Sequence, residues 1–305
     1  MAYLNGRGSM SEILIRSAGP GDLPAVYDLF YAIEVGDDPD VPPRPAMLPD
    51  YPHLLANGEL YVAESGGRIL GFVGLVVRSG IAFLTDLFVS EERQSGRLGA
   101  RLLRHALLPH AGRVRFTVSS TDPRALSLYI RAGLRPHWPN FLLRGHAPSL
   151  SGLLAGDVAA VPVQPGDPEL LAWDAATGGR ERAQDHAYWA REEGGVPLWF
   201  RRGDETIGYG YVRLRAGTFY FPDAVRIGPI GARSPAAAAA CVAAAVRWAS
   251  GHGTVLRMDV PGPHPALAPL IEAGFRIAYV ETLFASTAEL FFDPTRYLGS
   301  GGSLF

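Results

Sequence analysis

The chain has 305 residues, 48% of them hydrophobic, with a net charge of −2 and a pI near 6.5. That size and apolar share support a sizeable core and make two domains the default, while the charge balance offers no basic footprint for nucleic acid. No lysine occurs, which excludes Schiff-base and P-loop lysines, and the single cysteine, Cys241, excludes an intrachain disulfide.

In chain order, EILIRSA at 12–18 reads as a short strand, and residues 20–34 place Leu23, Val26, Tyr27, Phe30 and Ile33 on one face of a helix that Asp22 is set to cap. The next stretch, EVGDDPDVPPRPAMLPDYP at 34–52, is too rich in Pro and Asp for an element and reads as a long loop. Successive strands follow over 60–89 with a hairpin turn at Gly66 and Gly67. A charged turn then runs into a helix, SEERQSGRLGARLLRHAL at 90–107, followed by the strand RVRFTVSS, the helix PRALSLYIRAG and the strand FLLRG. The sum is an α+β unit of 11–146.

The second half repeats this order. RRGDETIGYGYVRL echoes ESGGRILGFVGLVV at a spacing of 137, and PALAPLIEAGFRI echoes RALSLYIRAGLRP at a spacing of 141. At the second spacing Ala125, Leu126, Ile130, Ala132 and Arg135 meet Ala266, Leu267, Ile271, Ala273 and Arg276. We read a tandem duplication: an N-terminal unit over 11–146, a Gly, Pro and Ser-rich linker at 147–160 and a C-terminal unit over 161–305.

A strand, a glycine-bearing turn and a helix start aim backbone N–H groups and the positive helix end at one point, which suits an anion such as a pyrophosphate. Gly96 and Gly99 would admit the ligand close to the backbone, and Arg93 and Arg97 would add charge. An ordinary turn capped by solvated arginines is the plainer alternative. QSGRLGARLL and DPRALSLYIRAGL together resemble the GNAT superfamily of acyl-CoA-dependent N-acyltransferases, whose motifs are [Q/R]-x-x-G-x-[G/A] and Asn-x-x-A-x-x-L-Y-x-x-x-G-[F/L]. Two positions depart from those motifs: Arg97 stands for the first glycine and Asp122 for the asparagine.

The resemblance implies two tandem GNAT-like domains, each a mixed, mostly antiparallel sheet flanked by helices. It implies that acetyl-CoA enters an opening between two central parallel strands, with no metal needed. Leu87, Phe88 and Val89 would pair with the pantetheine, and Gln94, Ser95, Gly96, Arg97, Leu98, Gly99 and Ala100 would cradle the pyrophosphate, with Asp122 on the cofactor side. A primary amine of a small molecule or peptide would attack the thioester directly, with Tyr129 serving the leaving thiolate and Asp86 as base. Asp86 is a carboxylate in an apolar strand, costly unless partnered or working, though alternation could turn it to solvent and a water relay could replace it. Tyr129 could instead simply pack its ring.

The acidic loop supplies Glu34, Asp37 and Asp38 as candidates for holding a cationic acceptor. Arg180, Asp185, His186, Tyr188 and Trp189 form a second cluster that either reads an acceptor or is a helix with one aromatic and one solvated face. The C-terminal copy has Pro235 at the cradle position and Leu270 at the tyrosine position, so it is expected to be degenerate. Rival readings are a non-catalytic CoA-binding, metabolite-binding or scaffold protein of the same fold and an aminoacyl-tRNA-dependent transferase. No metal motif, membrane span or secretory leader is evident, so a cytoplasmic monomer or homodimer without nucleic-acid or membrane partners is expected.

Overall fold

The computed structural model describes residues 12–94, 97–150, 156–301 and 304–305. The first half runs β1 (Leu14–Ser17), α1 (Leu23–Val35), α2 (Asp50–Asn57), β2 (Glu59–Ser65), β3 (Arg68–Arg78), β4 (Ile81–Val89), α3 (Leu98–Leu107), β5 (Val114–Ser120), α4 (Pro123–Arg131) and β6 (Arg135–His146). The second runs β7 (Val158–Pro162), α5 (Pro168–Gly178), α6 (Ala183–Glu192), β8 (Gly195–Arg202), β9 (Glu205–Arg213), β10 (Val225–Ala232), α7 (Pro235–Ser250), β11 (Val255–Pro261), α8 (Leu267–Glu272), β12 (Arg276–Ala285) and β13 (Tyr297–Leu298).

Local chemistry explains most of these elements and corrects two readings. Gly66 and Gly67 take positive φ at the β2–β3 turn, as the hairpin requires. Asp22 does not cap α1 through its side chain: its own backbone is already helical, Pro24 removes one of the two N–H groups a cap would bind, and the carboxylate accepts instead from Gly19 N at 2.8 Å and Arg16 at 2.7 Å. The stretch read as loop to residue 52 ends inside α2. Pro52 sits in the first turn of that helix, where backbone N–H groups have no intrahelical partner to lose.

All the strands join one sheet, in the order β1-β2-β3-β4-β5-β12-β6-β11-β10-β9-β8-β7, with β13 attached to β10. Strands β6 and β12 therefore each complete the sheet of the other half: β12 lies between β5 and β6, and β6 between β12 and β11. The register carries the 141-residue repeat. That displacement converts the pair Ser120–Glu281 into Pro261–Asn140 and Thr117–Phe284 into Met258–Leu143, and all four pairs occur. The pair mapped onto itself is Asn140–Glu281, where Asn140 Nδ2 donates to Glu281 at 3.3 Å on the pseudo-twofold axis.

Helices α3 and α4 cover one face of the N-terminal strands, and α7 and α8 cover the matching face of the C-terminal strands, each over its own apolar cluster. A third cluster on the opposite face is shared, joining Tyr27, Tyr51, Phe72 and Phe116 to Tyr188, Trp189, Tyr209 and Tyr297. The two halves are bolted there by a buried ion pair, since Arg78 on β3 grips Asp185 on α6 at 2.7 and 2.9 Å and His53 on α2 contacts the same carboxylate at 3.0 Å. Asp185, His186, Tyr188 and Trp189 are thus buried in the seam, while Ala183, Gln184, Ala187 and Arg191 give α6 its solvated face; Asp185 and His186 lie on the buried side with the aromatic rings. His186 lies between Asp174 and Tyr211, at 2.9 Å from each.

Candidate active site

Strands β4 and β5 run parallel only from Ile81–Val114 to Phe83–Phe116; beyond that the ladder ends and the strands part. A bulge in β4 at Thr85, between Leu84–Leu75 and Asp86–Gly74, marks the same level. Thr117 Oγ1 donates to Leu84 O at 2.9 Å where the strands diverge. Asp86 and the backbone of Leu87, Phe88 and Val89 line the opening on the β4 side.

The bulge brings Asp86 to the α1/α2 face. Tyr51 from α2 reaches its Oδ1 at 3.5 Å, and Glu34 and Asp50 add negative charge nearby. Burial above all, then those like charges, push the Asp86 carboxyl up to about 7, against a hydroxyl contact from Thr85 that opposes the shift. Tyr129 enters from α4: its ring is buried against Phe284 of the exchanged strand β12, at 5.8 Å between centroids. Its hydroxyl lies beside Thr117, and burial followed by the Asp86 charge raises its pKa, so it stays a proton donor at neutral pH. The opening therefore unites a carboxylate that ionises near neutrality and a phenol that does not.

The turn before α3 is built from uneven parts. Gln94 Nε2 donates to Val89 O at 3.3 Å while its Oε1 accepts from Arg124 at 2.9 Å. Ser95 and Gly96 lie outside the described residues. Arg97 is the N-cap of α3 with φ +62, a left-handed conformation that favours glycine, and its side chain points to solvent. Leu98 is buried in the α3 cluster, so only its backbone can face a ligand. A Cβ on Gly99 would meet Leu128 at 3.6 Å and Val89 at 3.7 Å, ordinary contacts, so the protein's own packing does not require glycine there. Beside this turn a groove of about 590 Å³ runs between α3 and α4, lined by Ala100, Arg97, Arg101, Arg104, Arg115 and Arg131. Asp122 caps α4 by accepting from Arg124 N at 2.8 Å and pairs with that arginine at 2.7 Å, tying α4 to Gln94.

Of the acidic-loop residues, Glu34 is solvent-accessible yet surrounded by protein, and that enclosure raises its pKa. Asp37 is exposed, whereas Asp38 accepts from Tyr220 at 3.0 Å and ties the loop to the second half. Sequence reasoning missed Glu281. Carried by β12 onto the same face, it is pushed up to about 7 by burial first, then by Asp259, with Glu34 also near. A lone carboxylate in the strand RIAYVETLFA was its only signal.

The C-terminal copy has the same opening with different contents. β10 and β11 pair in parallel only through Val225–Leu256 and Arg226–Arg257, and β10 carries its bulge at the matching place, between Ile227 and Ile230. Ile230 and Gly231, the counterparts of Leu87 and Phe88, are paired with Leu298 and Tyr297 of β13. The chain's own strand thus occupies the edge where a ligand backbone would lie, and Pro229 stands in place of Asp86. Cys241 is buried in α7 and held far from thiolate character, its pKa pushed up to about 12. Among the described residues, no group of three His, Cys, Asp or Glu side chains could hold a metal ion, and no helix is long and apolar enough to cross a membrane.

Comparison with known proteins agrees with this geometry. Residues 56–135 match the acetyltransferase (GNAT) domain family, while no curated protein matches the sequence. A protein of Pyrococcus horikoshii assigned as an acetyltransferase superposes with a TM-score of 0.73 at 16% identity, covering 96% of each chain. A GCN5-related N-acetyltransferase from Sphaerobacter thermophilus gives 0.63 at 16% identity over 92% of this chain and 98% of that one. A tandem GNAT protein from the clavulanic acid biosynthesis pathway gives 0.61 at 16% identity, over 92% and 99%. Residues 56–135 thus carry a GNAT acetyltransferase domain, and the chain as a whole has the fold of tandem GNAT proteins.

Proposed function

We propose that the N-terminal copy transfers an acetyl group from acetyl-CoA to a primary amine of a small molecule or peptide by direct attack. The observation that carries this reading is the convergence of Asp86 and Tyr129 at the β4–β5 opening, the carboxyl raised to about 7 and the phenol raised further above its ordinary value, so that one ionises near neutrality and the other keeps its proton. The residues present suit the donor. The unpaired edge at Leu87 to Val89 can accept an extended chain, the start of α3 with Gly99 can accept a pyrophosphate, and the arginine-lined groove can accept further phosphate charge.

The bound donor would supply an activated thioester carbonyl. Asp86 Oδ would take the proton of the incoming ammonium, and Glu34 and Glu281 would draw a cationic amine into the cleft while Tyr51 steadies Asp86. Tyr129 Oη would donate to the departing sulfur, kept protonated by its burial. Leu270 and Pro229 in the second copy support a structural role for that copy in this reaction. The direct test is calorimetric titration of acetyl-CoA into wild type and Gly99→Glu, followed by thiol release across a panel of amines. Binding by wild type alone, with turnover of some amine, is expected; folded protein that binds CoA yet acetylates no amine would sink the enzyme reading.

A further inference from the structure

The floor of the second strand opening is charged where the first is apolar. Phe83 and Phe116, stacked at 4.6 Å beneath the first opening, correspond to Arg226 and Arg257 beneath the second. The charge continues sideways: Arg213, Arg226, Arg257, Arg144 and Arg276 stand directly opposite one another on the neighbouring strands β9, β10, β11, β6 and β12. Cross-strand partners share a face, so this is one row of five guanidinium groups, and like charges so opposed are destabilising.

Two carboxylates answer the row. Glu193 pairs with Arg213 at 2.6 Å and Asp259 with Arg226 at 2.5 Å. Among the described residues no ion pair reaches Arg257, Arg144 or Arg276. Arg257 is 9% exposed, and its Nε and Nη1 are buried without a hydrogen-bond partner. The Phe221 ring lies over both Arg144, at 4.7 Å, and Arg257, at 5.9 Å. A ring stacked on a guanidinium covers its face and leaves the in-plane N–H groups for an acceptor. Arg144 is half-buried and Arg276 exposed, so the row opens to solvent at that end.

We infer that the C-terminal copy holds a binding site for a compact oxyanion, a carboxylate or phosphate group, formed by Arg257 and Arg144 beneath Phe221 and flanked by Arg226 and Arg276. The anion supplies the in-plane acceptors that Arg257 lacks and offsets the repulsion along the row. It is carried either by the far end of the acceptor amine, a version that rests on the transferase proposal, or by a separate metabolite.

The test uses the full chain, saturated with CoA, as wild type, Arg257→Met and Arg144→Gln. Calorimetric titration with inorganic phosphate should show one site in wild type, weakened about 10- to 100-fold in Arg257→Met and several-fold in Arg144→Gln. In anion-poor buffer Arg257→Met should unfold at a higher temperature than wild type, because an uncompensated buried charge is gone. If Arg257→Met does not fold, Arg144→Gln at the open rim decides alone. Equal phosphate affinity in the folded variants and wild type, or phosphate binding abolished by CoA, overturns the site. Matched amines with and without a carboxylate separate the sources: a KM rise in Arg144→Gln confined to the carboxylated amine assigns the anion to the acceptor, and unchanged KM values with weakened phosphate binding assign it to a separate metabolite. Phosphate binding in a protein that acetylates nothing would sustain the site and remove the transferase reading.

Discussion

Replacing Asp86 with asparagine separates its chemistry from its burial. In the folded protein Asp86 keeps its proton up to about 7 rather than the ordinary 3.8. Ionising it at pH 8 therefore costs about 4 kcal/mol more than in the unfolded chain, or about 2 kcal/mol once solvent reaching the half-buried carboxylate is allowed for. A carboxyl whose folded pKa is raised contributes stability that is fully present below its unfolded pKa and is lost as pH rises through the folded one. Wild type should thus weaken between about pH 4 and 7 relative to Asp86→Asn, the two converging near pH 4 and the variant leading by about 2 kcal/mol at pH 8. Glu281 titrates in the same window but is present in both proteins, so the difference isolates Asp86. Urea unfolding at several pH values reads the stability, and pH profiles of kcat/KM read the chemistry. Wild-type activity should rise with pH through about 7, while Asp86→Asn should lose that limb and about 10²- to 10⁴-fold in kcat. A variant with kcat within threefold of wild type and the same acid limb would refute the base assignment. A stability gap independent of pH would refute the burial argument.

Tyr129→Phe should keep the fold and CoA affinity, since its ring packing on Phe284 is retained, but lower kcat about 10- to 1000-fold in thiol-release assays. Arg97→Gly should raise stability by about 1 kcal/mol by relieving the left-handed backbone, whereas Arg97→Ala, which keeps that conformation, should not; thermal unfolding distinguishes them. Asp185→Asn should cost about 3 to 5 kcal/mol in chemical unfolding by leaving the buried Arg78 unpaired, and Arg78→Met with Asp185→Leu should recover much of the loss. Because Arg78 and His53 hold the Asp185 pKa below the ordinary carboxylate value, this contribution is present above that value and should fade as pH falls through the depressed one.

The elements that depend on local chemistry were legible before the structure. The glycine pair at the β2–β3 turn, the leucine-rich face of α3 and the motif around Tyr129 each announce themselves within a dozen residues. The 141-residue repeat was also legible and proved to be the displacement that relates the sheet registers. Helix α2 was hidden because Pro52, usually a breaker, is harmless in a first turn. The strand exchange was hidden for a deeper reason: β6 and β12 have similar patterns and either sheet could accept either strand, so the choice lies in long-range pairing rather than in local sequence. Glu281 was missed with it, since only the exchange carries that carboxylate to Asp86's side of the sheet. The Arg180–Trp189 segment misled because charge usually means solvent, and here Asp185 meets Arg78 of β3 and Arg182 meets Asp174 of α5 in buried ion pairs.

The reciprocal exchange of β6 and β12 also bears on how such a gene can change. A duplicate that carries Leu270 and Pro229 where the first copy has Tyr129 and Asp86 would ordinarily be free to be deleted. Here deletion would strip β5 of its neighbour, uncover an edge in the middle of the sheet and remove the wall behind Tyr129. The second copy is held in place by topology even without those two side chains, and its surface is left free to drift toward new ligands while its strands are not.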